Sequence, residues 1–379
     1  MSKKFDTQSV HFSQPISHKN QSKTKPIYQT SAFVFQDLDD LESFYQGEKD
    51  YLYTRTGNPN TDELGEGTAL LENAPMGVAA SSGLSAILAG ILSVVQSGDH
   101  IVACEDLYGG TYQLIGEELS SFGIEATFVS FDQEDAIRKA IRPNTKLLYS
   151  ESITNPFLRE ESIKQMVDIA RDCELVTMID NTFATPYLLQ PYTQGIDIVV
   201  HSATKYIGGH SDVTAGVVVG SPIYMEKAKE KVVNLGLNLS PSEAWLACRG
   251  LKTLGVRMEK HNHNARQLAD YFRGQDVRTV YYPESVSEKG NGAIVSVDLG
   301  ENYEVQAFFQ NLSWVKIVPT LAGVETTVSY PLSTSHRAVP PEIREKLGIT
   351  EGLVRLSVGI EDGDEIVEIF DQALKKSKR

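Results

Sequence analysis

The sequence predicts an α/β fold: a mainly parallel sheet followed by a smaller C-terminal α+β domain. Three observations lead there. Short β-branched strands alternate with amphipathic helices between about residues 60 and 220. The composition then shifts to long helical stretches. A second group of strands begins after Tyr281 and ends in LVRLSVGIE near the C-terminus.

The elements follow in order. Residues 1 to 55 are polar, contain Pro15 and Pro26, lack periodicity and read as an arm. An apolar helix over 83–96 leads to strands over 101–104 and 126–131, a helix over 134–141 and a strand over 146–150. The amphipathic stretch 161–173 precedes a strand over 175–180, and strands over 196–200 and 214–220 come next. These read as right-handed βαβ units, in which ligands bind at the carboxyl ends of the strands. Helices over 224–231 and 243–272, a strand over 293–299, the strand 353–361 and an amphipathic C-terminal helix complete the pattern. The implied division is an arm (1–55), a large domain (56–250) and a C-terminal domain (251–379).

Composition removes several classes of function. With 379 residues, 41% hydrophobic and 22% charged, the chain is long enough for two packed units. A net charge of -15 argues against nucleic-acid or anionic-membrane partners, which need clustered Lys and Arg to displace counterions. The N-terminus carries no apolar run after its basic residues, and the stretch Ala86 to Val95 is too short to cross a bilayer. Three widely spaced cysteines suggest neither a disulfide framework nor a zinc site, so a reducing cytoplasm is expected. His261 and His263 lie two apart on a helix, point about 200° from each other and cannot share a metal. No GxxxxGK[ST] or GxGxxG motif follows a strand.

Four strand ends carry the chemistry. LVTMID ends in Asp180, which taken alone is an N-cap or turn residue. IDIVVHSATK delivers Ser202, Thr204 and Lys205, and a lone lysine is ordinarily a surface residue. AASSGLSAILAG sets Ser82 and Gly83 at the start of a helix, where unpaired N–H groups favour an anion. KLLYSESITNP places Asn155 before Pro156 in extended backbone. Together, a phosphate cradle, an acid, an amine and hydroxyls arriving at one sheet edge describe a pyridoxal phosphate site. An amine holds the aldehyde as a Schiff base, and a carboxylate keeps the pyridine nitrogen protonated.

SATKYIGGHSD, DNTFATPY (180–187), YxYxRTGNP (51–59), SSGLSAI (81–87), DLYGGTY (106–112) and VRLSVGIED (354–362) together resemble the cystathionine γ-synthase/γ-lyase family of pyridoxal phosphate enzymes. The resemblance runs from about residue 26 to 373 and implies a fold-type I, aspartate aminotransferase-like architecture. It makes Lys205 the Schiff-base lysine and Asp180 the partner of the pyridine nitrogen. Ser82, Ser202, Thr204 and the backbone of Gly83 and Leu84 would bind phosphate. Tyr108 would stack on the ring and help move protons, and Asn155 would bond the ring hydroxyl. Arg355 would grip the substrate carboxylate, with Asn155 and Thr320 beside it. Tyr53 and Arg55 would reach the phosphate of a neighbouring subunit in a homotetramer, a dimer of dimers.

The implied activity is carbon–sulfur cleavage of a sulfur amino acid (cystathionine, methionine, homocysteine or cysteine), giving a thiol, ammonia and a 2-oxo acid. The alternatives are γ-replacement on an activated homoserine and a catalytically silent binding protein. The family stretch ESLGGxES reads PTLAGVET here (319–326), and Gln113 follows GGTY where a basic residue is usual. Both departures point away from cystathionine, whose distal zwitterion would lack partners, and toward a shorter substrate.

Overall fold

The computed structural model describes residues 3–13, 22–334, 337 and 341–379. Pro15 lies outside them. A seven-stranded sheet holds β1 (Met76–Ala80), β2 (His100–Cys104), β3 (Glu125–Val129), β4 (Thr145–Glu151), β5 (Val176–Asp180), β6 (Ile198–His201) and β7 (Gly216–Gly220), in the order β1-β7-β6-β5-β4-β2-β3. β2, β4, β5 and β6 and the edge strand β3 pair in parallel. The inner strands β2, β4, β5 and β6 are mostly apolar and buried, as strands covered on both faces must be, while the edge strand β3 is only partly covered.

β7 departs from the expected βαβ series, pairing antiparallel with both β6 and β1. Residues 202–215 contain no crossover helix, and without one the chain returns in the opposite sense. The same stretch carries Lys205. The helix Pro59–Glu72 and strand β1 precede the first expected element, and helices Phe5–His11 and Leu38–Tyr45 lie in the arm read as irregular. The two arm helices are short and offer too few turns for a period to register, and Pro59–Glu72 is buried on several sides with few large apolar residues, so it shows no clean stripe.

The long helix expected over 243–272 is two helices, Pro241–Leu251 and Leu254–Arg273. The break is stabilised by side chains: the Gly250 carbonyl accepts from the Thr253 hydroxyl at 3.1 Å and from Arg257 Nη2 at 2.7 Å. The second of these helices joins the two cores, with Leu254 and Met258 in the first and Ala265 to Phe272 in the second. A five-stranded sheet of β8 (Thr279–Tyr281), β9 (Ile294–Asp298), β10 (Lys316–Ile317), β11 (Thr327–Ser329) and β12 (Leu353–Ser357) has the order β10-β11-β12-β9-β8. The C-terminal helix Gly363–Ser377 is capped by Asp362, whose carboxylate accepts from the N–H groups of Asp364 and Glu365, and it buries Ile366, Phe370, Ala373 and Leu374. Among the described residues, no helix is long and apolar enough to cross a membrane.

Candidate active site

Because β4, β5 and β6 run parallel, their carboxyl ends share one edge. Glu151 closes β4 and lies in register with Asp180, which closes β5 beside Val200 of β6. The chain leaves β6 at His201 and turns tightly: the Lys205 N–H donates to Ser202 O at 3.0 Å and the Gly208 N–H to Ala203 O at 2.8 Å. Gly209 completes the turn at φ +73°, a left-handed value suited to glycine.

A cavity of about 220 Å³ opens over this edge, lined by Ser82, Gly83, Leu84, Tyr108, Glu151, Asn155, Asp180, Ser202, Thr204, Lys205, Thr320 and Arg355. All the residues anticipated for the site except Tyr53 and Arg55 therefore converge. Those two are exposed and lie outside the cavity of their own chain, where Arg55 Nη1 donates to Val233 O at 3.2 Å in a separate groove. Pro319 and Leu321 add apolar wall, and Gln113 is not part of the lining.

Lys205 is the central group. Its amine donates to the Thr320 hydroxyl at 2.9 Å. Burial, reinforced by the nearby Arg355 charge and opposed by Asp180, brings it down to about 8, so a large fraction is neutral in mildly basic solution. Asp180 accepts from the Thr182 N–H at 2.9 Å. Burial raises its carboxyl above the ordinary range, while the bonds from Thr182 and the neighbouring His201 and Lys205 resist that rise. Glu151 is pushed up more strongly, by burial first and by Asp180 second.

Arg355 comes from the smaller sheet. It lies at the centre of β12, buried, with Nε donating to Ser329 Oγ at 3.1 Å and Nη1 to Asn155 Oδ1 at 3.0 Å. Two of its nitrogens are thus held, which fixes the plane of the fork. Burial, opposed by nearby Tyr108 and Tyr206, brings its guanidinium down to about 10.

The residues fit pyridoxal phosphate. Helix Gly83–Leu92 begins at the cavity, and its first N–H groups have no intrahelical acceptors. A Cβ at Gly83 would stand 2.8 Å from Ser202 Oγ, so only glycine lets the helix start come this close to the hydroxyl. Ser82 caps the helix, accepting from the Ser85 N–H at 3.1 Å. The Thr204 hydroxyl is engaged with the backbone of Ala215, donating to its carbonyl at 3.1 Å and accepting from its N–H at 3.0 Å. An anion cradle, a half-buried amine and an acid around one small cavity match a phosphorylated aldehyde with a basic ring nitrogen.

Sequence reasoning passed over Glu151, Thr182 and Ser329. Glu151 had a signal: it stands at the end of a strand on the same pattern as Asp180. Ser329 and Thr182 had none, since each matters only through a partner distant in sequence or turned toward it by the fold.

Fold and cavity together define an enzyme that works through pyridoxal phosphate. The chain belongs to the Cys/Met metabolism family of pyridoxal phosphate-dependent enzymes, whose model matches residues 6–375. It is similar to a cystathionine gamma-lyase of Bacillus subtilis, 42% identical over 92% of this chain and 93% of that one. It is also similar to an L-methionine gamma-lyase of Porphyromonas gingivalis, 41% identical over 90% of each. Among solved structures, a putative O-acetylhomoserine (thiol)-lyase of Campylobacter jejuni that carries an N'-pyridoxyl-lysine-5'-monophosphate superposes with a TM-score of 0.92 at 28% identity, covering 98% of this chain and 99% of that one.

Proposed function

We propose that this enzyme is a carbon–sulfur lyase that converts a short sulfur amino acid to a thiol, ammonia and a 2-oxo acid. The observation carrying this reading is the half-buried Lys205 amine, bonded to Thr320, with Asp180 and Arg355 lining the same small cavity. Pyridoxal phosphate, when bound, supplies an aldehyde for amines and a ring that withdraws electrons from the substrate's α-carbon. Lys205 is its covalent anchor and Asp180 the partner of its ring nitrogen. Gly83, Leu84, Ser82 and Ser202 hold the phosphate, joined by Thr204 once its hydroxyl proton turns from the Ala215 carbonyl, Tyr108 stacks on the ring, and Asn155 bonds the ring hydroxyl.

Each remaining step belongs to the side chains. Lys205, its amine lowered to about 8 mainly by burial, is the base that takes the α-proton, and Thr320 orients it. Arg355 holds the substrate carboxylate by a fork that Ser329 and Asn155 have already aligned. The proton taken by Lys205 is handed to the departing sulfur when a β-thiolate leaves; for a γ-thiolate, Lys205 first sheds that proton and takes one from the β-carbon. Water then enters in exchange for ammonia, which leaves the 2-oxo acid.

Pro319 and Leu321, flanking Thr320, add apolar lining to the cavity, which suits a methyl thioether or a thiol better than the charged end of cystathionine. Methionine, homocysteine and cysteine are therefore the preferred substrates in this reading. Tyr53 and Arg55 complete the site of a neighbouring subunit within a dimer of dimers, which gives the arm over 1–55 its role. The assembly works in the cytoplasm, where Cys104 and Cys248 stay buried and reduced.

The test is a panel of cystathionine, methionine, homocysteine, cysteine and an activated homoserine with cysteine, read by thiol and oxo-acid release. Faster cleavage of the short substrates is expected. A wide preference for cystathionine would refute the substrate assignment, and cystathionine formation from activated homoserine would replace lyase by γ-replacement.

A further inference from the structure

Glu151 has no role in the chemistry above, yet it is buried, lines the cavity and stands beside Asp180. Packing does not account for it. A carboxyl taken out of water next to a second acid is costly, and an apolar residue of the same size would fill the space at less expense. What the carboxyl does is accept a hydrogen bond from the Tyr108 N–H, Oε1 to N at 2.8 Å.

Tyr108 stands just before the short helix Gly109–Gln113, and its own carbonyl accepts from the N–H groups of Thr111 and Tyr112 at 2.9 and 3.0 Å. Arg159 braces the outer side of the same loop through Asp106, at 2.9 Å. Glu151 reaches Tyr108 itself from the sheet. Tyr108 is 43% exposed and lines the cavity, so much of its placement depends on the backbone beneath it.

Resting on the proposed function, in which Tyr108 stacks on the cofactor, we infer that Glu151 is a positioning residue: its carboxyl pins the Tyr108 backbone to the end of β4 and so sets the height and tilt of the ring over the cavity. The end of β4 thereby holds Tyr108 over the same cavity edge at which Asp180 closes the neighbouring strand.

Glu151→Gln keeps an oxygen acceptor for the Tyr108 N–H. Glu151→Met keeps the volume and removes the acceptor, with Glu151→Ala as a second variant lacking it should Met fail to fold. The readouts on purified proteins are the dissociation constant of pyridoxal phosphate from the apoprotein, the induced circular dichroism of the bound cofactor, and kcat against KM. Glu151→Met is expected to weaken cofactor binding, alter the dichroic band and lower kcat about tenfold to a hundredfold, the scale of a small misplacement in an active site. Glu151→Gln should stay close to wild type. In a Tyr108→Ala background, Glu151→Met should add nothing, because the ring it positions is gone.

Gln as impaired as Met would overturn the inference, since the charge and not the bond would then matter. A Met effect that persists without the Tyr108 ring would overturn it too, as would a Met variant indistinguishable from wild type. If the wild-type protein lacks a visible cofactor band that Lys205→Ala removes, the proposed function fails instead.

Discussion

The two sheets furnish the cavity in different ways. The seven-stranded sheet works from its strand ends: Glu151 and Asp180 close β4 and β5, and Lys205 sits in the turn beyond β6. The five-stranded sheet works from mid-strand: Arg355 is the central residue of β12, flanked by Ser329 on β11 and Ser296 on β9. A strand end can present a group without disturbing the ladder. A mid-strand charge is surrounded by packed neighbours and must be hydrogen-bonded throughout. Function and stability are therefore separable in the first region and entangled in the second.

The largest expected effect falls on the first region. Lys205→Ala should abolish the visible cofactor band and cut turnover by at least about 10²–10⁴-fold, the usual range for losing a positioned proton-transfer group. The apoprotein's thermal melt should stay near or rise above that of wild-type apoprotein, because the lysine amine is held partly out of water at a cost. A retained band would remove Lys205 as the anchor.

Next comes Arg355→Ala. KM for the amino acid should rise about tenfold or more, and urea unfolding of the apoprotein should show a loss of about 1–3 kcal/mol, because Asn155 and Ser329 lose a buried partner. An activity loss with unchanged unfolding would erase the contrast between the sheets.

Gly83→Ala is expected to be milder. Its Cβ meets Ser202, and overpacking of this kind costs about 1–3 kcal/mol, concentrated here in cofactor affinity measured by titrating the apoprotein. Unaltered affinity would mean the helix start is not the phosphate cradle.

The smallest effect belongs to Thr320→Val, which removes one hydrogen bond to the amine, about 1 kcal/mol or a fall of a few-fold in kcat. The same amine sets a pH dependence. Its folded value of about 8 lies below the ordinary 10.5, so the unfolded chain binds the extra proton between them. Capture of pyridoxal phosphate by the apoprotein should accelerate as pH rises through about 8, when the neutral amine forms. Over about 8 to 10.5 this group should also add stability to the apoprotein. A capture rate that went on rising to about 10.5, instead of levelling above about 8, would place the lysine in solvent.

Much of the first region is legible in the linear chain. Lys205, Ser202, Thr204, Asp180 and Gly83 each stand at the edge of a short apolar or helical run, and punctuation of that kind is local. The arm is less legible: its helices are short, and Tyr53 and Arg55 lie outside the cavity of their own chain. The reversal of β7 had a readable cause in the helix-free loop before it, but β-branched content by itself carries no strand direction.

The sequence alone determined which chemical groups arrive at strand ends and helix starts, because propensity, capping and apolar runs act over a few residues. Only the tertiary structure decided which of those ends meet. It set Glu151 beside Asp180, brought Thr320 to Lys205 and Ser329 to Arg355, and gave Tyr108 its anchor. Such pairings come from strand order and from packing between residues far apart in the chain, and no local pattern records them.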